Sequence, residues 1–174
     1  ISEIPGSVYW DEASIGYNAY SIATDLKDEW GDKLPLHFRA FGEFKLPVYV
    51  YSVVISEAVL GVNAVAVRLP AVIFGLFSIV GLCFLVIELT KQKSVALLSS
   101  FLFSITPLFF IFSRTGYEAT AGLAFFIWAT YLLIRSTQVK KYLIFSTIFF
   151  IVSAYSYNSF RILTPIVLGL GLLY

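Results

Sequence analysis

Polar and apolar positions alternate in short runs over the first 46 residues, and from Pro47 onward apolar positions run together between brief polar clusters. In the first part Ile15, Ala19, Ile22 and Leu26 recur at helical spacing, which predicts an amphipathic helix from near Asp11 to just before Gly31. Asp11 is the expected N-cap, with Glu12 in the first turn, both facing the positive end of the helix dipole. Residues 25–32 read as a solvated, charged turn and 35–39 as a loop.

Residues 47–60 are apolar but shorter than the roughly 20 residues a spanning helix needs. Lys45, Tyr49, Ser52 and Ser56 fall on one narrow face of that segment, which suits a helix lying in the membrane interface. Arg68-Leu69-Pro70 opens the first full span, residues 69–89, and further spans are expected at 95–112, 119–134, 142–157 and from 162 to the end of the chain. Glu88, three residues before Lys91, is the expected ion-pair partner of that lysine. The predicted fold is therefore all-α: a multi-pass transmembrane bundle over 69–174, preceded by an extracytoplasmic region, 1–68, carrying amphipathic juxtamembrane helices.

Composition agrees with this reading. Apolar residues make up 59% of the chain and charged residues 13%, with mean hydropathy +0.84, whereas a soluble domain carries roughly 25% charge. The chain reads as an integral protein of the cell membrane. Its net charge of +1 provides no bulk attraction to nucleic acid. The single cysteine, Cys83, lies in an apolar run and excludes a disulfide framework or a cysteine metal cluster. The chain opens with Ile1 and stops at Tyr174 inside an apolar run, so both ends read as cut. Lys91 and Lys93 are separated by two expected spans from Arg135, Lys140 and Lys141, which puts both clusters on one side, cytoplasmic by the positive-inside rule. The first 68 residues, the turn around Arg114 and Glu118, and the stretch from Tyr157 to Arg161 are then extracytoplasmic.

That outer side gathers the polar groups able to form a site: Asp11, Glu12, Lys45, Arg68, Arg114, Glu118, Asn158 and Arg161. Each has a plainer explanation. Arg114 and Glu118, at i and i+4, can form a helix-end ion pair. Arg68 can anchor a span to the headgroups, and Arg161 can join Tyr155 and Tyr157 in an interfacial belt. His37, the only histidine, has no second ligand in sight and reads as a surface residue rather than a metal ligand.

Six strings occur in order: Trp10-Asp11-Glu12; Phe44-Lys45-Leu46-Pro47 followed by Tyr49 and Tyr51; Gly61-Val62-Asn63; Arg68-Leu69-Pro70; Ser113-Arg114-Thr115-Gly116-Tyr117-Glu118; and Tyr155-Ser156-Tyr157-Asn158-Ser159-Phe160-Arg161. Together they resemble the multi-pass, lipid-carrier-dependent glycosyltransferases of the GT-C type, close to bacterial relatives of the protein O-mannosyltransferases and the lipid A aminoarabinose transferases. The resemblance implies a sugar donor linked to a polyprenyl phosphate, and transfer on the outer face, with inversion, to a lipid, glycan or protein acceptor. It assigns Asp11, Glu12 and Glu118 as catalytic carboxylates. Lys45, Arg68, Arg114 and Arg161 are then the donor-phosphate cations, and Tyr49, Tyr157 and Asn158 line the substrate. The chain is shorter than the family pattern, lacking its first membrane helix and its later spans.

Displacing a lipid phosphate needs a base for the incoming group and positive charge for the leaving phosphate. Adjacent helical residues point about 100° apart, so Asp11 and Glu12 do not act on one atom. One of them is expected to face the site while the other caps, bonds the backbone or binds a metal. A divalent metal on Asp11 and Glu118 is compatible with their oxygen ligands, although no motif demands one. The alternative is a fragment of a transporter or of a non-catalytic membrane protein. A transporter predicts ionisable or helix-breaking groups at mid-membrane, whereas these charges sit at the ends of the expected spans.

Overall fold

A computed structural model of the chain describes residues 6–172, the last three of these by backbone alone. The expected final span therefore ends outside the described residues, at 173–174. The order of elements is α1 (Trp10–Asp25), β1 (Phe38–Ala40), β2 (Glu43–Lys45), α2 (Pro47–Leu60), α3 (Ala64–Thr90), α4 (Lys93–Ile105), α5 (Pro107–Phe112), α6 (Ala119–Ser136), α7 (Lys141–Ala154) and α8 (Asn158–Leu172). The chain is mostly helical. Two helices, α3 and α6, are long and apolar enough to cross a membrane, while α2, α4 and α7 are apolar but shorter.

Four local outcomes differ from the sequence reading. The N-cap of α1 is Tyr9 rather than Asp11, and Glu12 at the third helical position accepts the Tyr9 N–H at 3.0 Å. The segment read as a loop contains a two-stranded antiparallel hairpin, so the chain is not purely α-helical. Its two-residue turn is Phe41-Gly42, both at positive φ (49° and 87°), the backbone that lets a tight hairpin follow the strand twist. The span expected over 95–112 is broken, because Pro107 forces Thr106 into extended backbone (ψ 124°) and α5 starts afresh after it. Finally, the charged turn is organised rather than merely solvated. Buried Asp28 accepts the N–H groups of Trp30 (2.9 Å) and Asp32 (2.8 Å), and buried Asn18 of α1 receives the Glu29 N–H at 3.1 Å.

The polar face expected on α2 is turned inward. Tyr49 is fully buried and its hydroxyl donates to the Val67 carbonyl at 2.9 Å, while the residues α2 exposes are apolar, Ile55 and Val59 among them. A core of Ile15, Ala19 and Ile22 from α1, Phe38, Val50 and Val53 from the hairpin and α2, and Val67, Ala71 and Ala121 from α3 and α6 joins the N-terminal region to the head of the bundle. The predicted apolar face of α1 is thus the buried one, except for Leu26, which is exposed.

Below this core the helices pack through small residues. Ser146 Oγ donates to the Ala129 carbonyl and Ser153 Oγ to that of Gly122, both at 2.8 Å, and Trp128 Nε1 donates to the Phe77 carbonyl at 2.9 Å. Close approach through small residues with interhelical hydroxyl bonds is how helices associate where lipid removes the hydrophobic drive. The outward faces are large and apolar, with Leu76, Val80, Leu98, Phe101, Ile144 and Ile148 all exposed. A face of that size suits lipid and not water. At the far end of α3, buried Glu88 receives Lys91 Nζ, Arg135 Nη1 at 3.1 Å and Gln138 Nε2 at 2.9 Å. Lys91 and Arg135 therefore meet at one end of the bundle, about 40 Å along α3 from its start at 1.5 Å per residue.

Gly122 tests this packing. A Cβ there would lie 2.5 Å from the Phe160 ring, whereas one at Gly169 meets nothing within 4 Å. Gly122→Ala should lower the melting temperature of the purified protein in detergent, at a cost of about 1–3 kcal/mol. Gly169→Ala should be neutral and Phe160→Leu should partly rescue the first variant. Equal effects at the two glycines would contradict the α6–α8 contact.

Candidate functional site

The first turn of α1 sends its two carboxylates in different directions. Glu12, 2% exposed, is enclosed by donors. Arg68 Nε donates to its Oε1 and Arg68 Nη2 to its Oε2, both at 2.8 Å; the Gly116 N–H reaches Oε1 at 2.7 Å and the Tyr9 N–H reaches Oε2 at 3.0 Å. Burial alone raises the Glu12 pKa, but the Arg68, Gly116 and Tyr9 hydrogen bonds outweigh it and hold the carboxyl below its usual range. Arg68 also donates to the Ser7 carbonyl at 2.9 Å. Gly116 has no side chain because a Cβ would sit 3.0 Å from Val67 Cγ1 and 3.2 Å from Glu12 Cγ. This cluster binds α1, α3 and the turn before α6 together. A free base at Glu12 and a phosphate-binding cation at Arg68 are at odds with it, since each is buried and engaged by the other.

Asp11 points away from that pair. Its Oδ1 accepts from Lys45 Nζ at 2.7 Å, and Lys45 also lies 3.5 Å from Glu43 Oε1. The hairpin register makes this contact, since Lys45 pairs with buried Phe38 and shares its inward side. Asp11 and Glu12 both line a cavity of about 300 Å³, together with Tyr9, Thr115, Gly116 and Tyr117. Burial and the neighbouring Tyr157 push the Tyr117 phenol up, and its ring centroid lies 6.1 Å from that of Tyr157.

Glu118, 8% exposed, accepts the Leu46 N–H at 3.0 Å. It is not paired with Arg114, whose guanidinium lies 4.5 Å from the centre of the Phe110 ring. Burial pushes the Glu118 carboxyl up to about 7, against the Leu46 hydrogen bond and the nearby Lys45 ammonium, with Glu43 and Asp11 adding to the rise. Two carboxylates of different environment thus flank Lys45. No group of three or more His, Cys, Asp or Glu side chains converges to hold a metal among the described residues, and the positive charge beside Asp11 is the Lys45 ammonium.

A second opening, about 450 Å³, lies between the hairpin and the α7–α8 turn. Arg161 and Asn158 line it together with His37, Phe44 and Leu46. Of the four expected phosphate cations, then, Arg161 faces this cleft and Lys45 faces Asp11. Arg68 is inside the Glu12 cluster, and Arg114 lines a separate cavity of about 230 Å³ with Gly75 and Phe109. Tyr49 lines neither opening, since it lies in the core. Sequence reasoning missed three residues: Tyr117 and Gly116, which sat inside a matched string without an assigned role, and His37, read as mere surface. Only their neighbours in space give them a part.

The sequence matches the dolichyl-phosphate-mannose-protein mannosyltransferase family over residues 45–173. That is most of the chain, and the chain belongs to this family: it is a membrane glycosyltransferase of the GT-C kind. The acidic pair, Asp11 and Glu12, lies outside the matched segment, which begins at residue 45. No curated protein and no solved structure matches the chain.

Removing one partner of the Glu12–Arg68 pair leaves a buried, uncompensated charge, which typically costs about 3–5 kcal/mol. Arg68→Met should therefore abolish or strongly reduce the monodisperse peak on detergent size exclusion, and wild-type melting behaviour would show that the pair is dispensable.

Glu118 generates a pH dependence. Its carboxyl rises from an ordinary 4.5 to about 7 in the folded chain, so between these values the folded state holds a proton that the unfolded state has released. Its stabilising contribution is complete below pH 4.5 and is lost as pH rises through 7, on the order of 3 kcal/mol in all. Glu118→Gln, which still accepts from Leu46, should flatten the melting temperature across this window. An unchanged slope would place the titration elsewhere.

Proposed function

We propose that this member of the dolichyl-phosphate-mannose-protein mannosyltransferase family transfers a sugar from a polyprenyl-phosphate donor to an acceptor on the extracytoplasmic face of a cell membrane. The bundle is multi-pass, with the basic end that holds Lys91 and Arg135 in the cytoplasm and the Asp11 end outside. Asp11 is the general base. The observation that carries this reading is the division of labour in the first turn of α1: both carboxylates border one cavity, but Glu12 is consumed by Arg68 and backbone donors while Asp11 has the Lys45 ammonium as its partner.

In this mechanism the acceptor enters the cavity bordered by Tyr9, Thr115 and Tyr117, and its hydroxyl gives its proton to Asp11 as its oxygen attacks the anomeric carbon. Lys45 holds the Asp11 carboxylate in place. The bond from the anomeric carbon to the phosphate oxygen breaks, its electron pair leaves with the phosphate, and attack from the opposite face inverts the configuration. Positive charge from Arg161, with Asn158 beside it and Lys45 deeper in, meets the charge that grows on the phosphate. Glu118, with its carboxyl raised to about 7, carries less negative charge near the leaving phosphate than an ordinary carboxylate does. Where the reaction uses a divalent metal, Asp11 and Glu118 are the oxygen ligands on hand.

Asp11→Asn removes the base while keeping the side-chain shape and an oxygen acceptor for Lys45. Sugar transfer by the full-length enzyme should fall by about a hundredfold or more at matched amounts of monodisperse protein, while the melting temperature drops because buried Lys45 loses its carboxylate. Glu12→Gln should act instead through folding, lowering the yield of monodisperse protein. Near-normal transfer by folded Asp11→Asn would overturn the assignment. Orientation is read separately: in a Cys83→Ser background, a cysteine at Asp32 should react with an impermeant thiol reagent in intact cells and one at Lys140 should not.

A further inference from the structure

The inner face of α2 departs from its own pattern. Val50, Val53 and Glu57 recur at i, i+3 and i+7, the spacing that turns all three the same way, and all three are buried. The two valines belong to the apolar core, whereas position 57 carries a carboxylate, 5% exposed. Both of its oxygens are shielded from solvent and neither has a hydrogen-bond partner. The other buried carboxylates, Glu12, Asp28, Glu88 and Glu118, each accept at least one hydrogen bond. A buried carboxyl without a donor destabilises a fold, so Glu57 requires a partner that the described residues do not supply.

Glu57 borders an opening of about 320 Å³ between α1, the end of α2 and the start of α3. Gly16 shapes it, since a Cβ there would lie 2.9 Å from Val67 Cγ2 and 3.5 Å from Glu57 Oε1. On the outer side the wall is Tyr17 and Tyr20, neighbours on α1 and 59% and 47% exposed. No lysine, arginine or histidine lines the opening, and the other acid in its wall, Glu12, is engaged by Arg68. Asn63 is occupied as well, because its side-chain oxygen caps α3. Among the residues that line the opening, the one charged group without a counterpart is Glu57.

A carboxylate and two aromatic rings complement a positive group: the carboxylate takes its charge and its N–H bonds, and the ring faces attract it. An anion finds no partner here, and an uncharged ligand leaves the carboxylate unmet. An ammonium beside a phosphate fits poorly for the same reason, whereas one on an apolar stem also uses the Val8, Val62 and Ala64 side of the opening. We propose that this opening binds an ammonium group on an apolar stem, as in a lysine side chain, with Glu57 as its anion and Tyr17 and Tyr20 as its aromatic walls. The shielded carboxylate reaches the ammonium by a change of rotamer into the opening that it borders. Glu12 separates this site from the Asp11 cavity, because it lines both, and the proposal stands independently of the transferase reading. A ligand held here joins α1 to α2 and steadies the helix whose first turn carries Asp11.

The test is binding to the full-length protein in detergent at about pH 8, where a carboxyl is ionised and an alkyl amine is still protonated. The probe is N-acetyl-lysine methylamide, with its norleucine counterpart, which lacks the amine, and glycerophosphoethanolamine as controls. The lysine derivative should bind at least tenfold more tightly than either control and should raise the melting temperature at saturation. Glu57→Gln, which removes the charge and keeps the shape, should weaken it by about tenfold or more, the size expected of hydrogen bonds to a charged group. Tyr20→Leu, a change at an exposed ring, should weaken it about threefold. Glu57→Met should raise the melting temperature of the unliganded protein, because an apolar side chain of similar length replaces an unpartnered carboxyl. Equal binding of the lysine and norleucine derivatives, or wild-type affinity in folded Glu57→Gln, overturns the proposal. Tighter binding of glycerophosphoethanolamine overturns the apolar stem, and a lower melting temperature for Glu57→Met makes the carboxyl a structural group and overturns the site.

Discussion

The buried ion pair between Glu12 and Arg68 is the constraint on which the remaining geometry depends. Two charges taken out of water are tolerated only when each is met by opposite charge and the leftover lone pairs are filled. Here the filling groups come from three parts of the chain: the Tyr9 N–H, the Gly116 N–H and the Arg68 guanidinium. Satisfying one carboxylate therefore fixes the start of α1, the outer end of α3 and the turn before α6 relative to one another. A hydrophobic contact is non-directional and does not enforce such a register.

Once those elements are fixed, the rotation between neighbouring helical residues turns Asp11 toward Lys45 and Glu12 toward Arg68, and both border the cavity beside Tyr117. The hairpin supplies the complementary charge. Its Phe41-Gly42 turn and pairing register turn Lys45 inward, to 2.7 Å from Asp11, and the next residue bonds Glu118. One carboxyl of the site thus has a cation in contact, while the other is buried on a single backbone N–H and rises to about 7.

The same division runs along the bundle. Around the Glu12 cluster the protein has a true apolar core; farther down α3 the helices meet through glycine, alanine and serine and through aromatic pairs such as Phe77–Trp128 and Phe126–Phe150, while many large apolar residues face outward. A water-soluble domain could not leave Leu98, Phe101, Ile144 and Ile148 uncovered, but a bilayer covers them. The Glu88 cluster closes the opposite end with its own buried carboxylate and the surrounding cations. Charge is thereby confined to the two ends, where the polar groups of a membrane protein have water or headgroups as partners.

Periodicity, composition and chain order sufficed for much of this. The helical spacing of Ile15, Ala19 and Ile22, the extent of α2 and the apolar runs of α3 and α6 are local properties, and local patterns report them directly. Pro107 is equally visible, but the apolar run on both sides of it reads as one span, and the break between α4 and α5 shows only in the fold. The motif strings pointed to the family, because those strings are short and contiguous. What they could not tell apart was the role of each member. Asp11 and Glu12 are adjacent and chemically alike; only contacts 56 residues away, to Arg68, and 104 away, to Gly116, make one the anion of a buried pair and leave the other to Lys45. Likewise Arg68 and Arg161 are both arginines at helix starts, and Tyr49 and Tyr157 both tyrosines in matched strings. Burial against distant elements removes Arg68 and Tyr49 from the openings, and it brings His37 to the cleft of Arg161. Sequence spacing carries no information about those encounters, since they are decided by how separate helices pack.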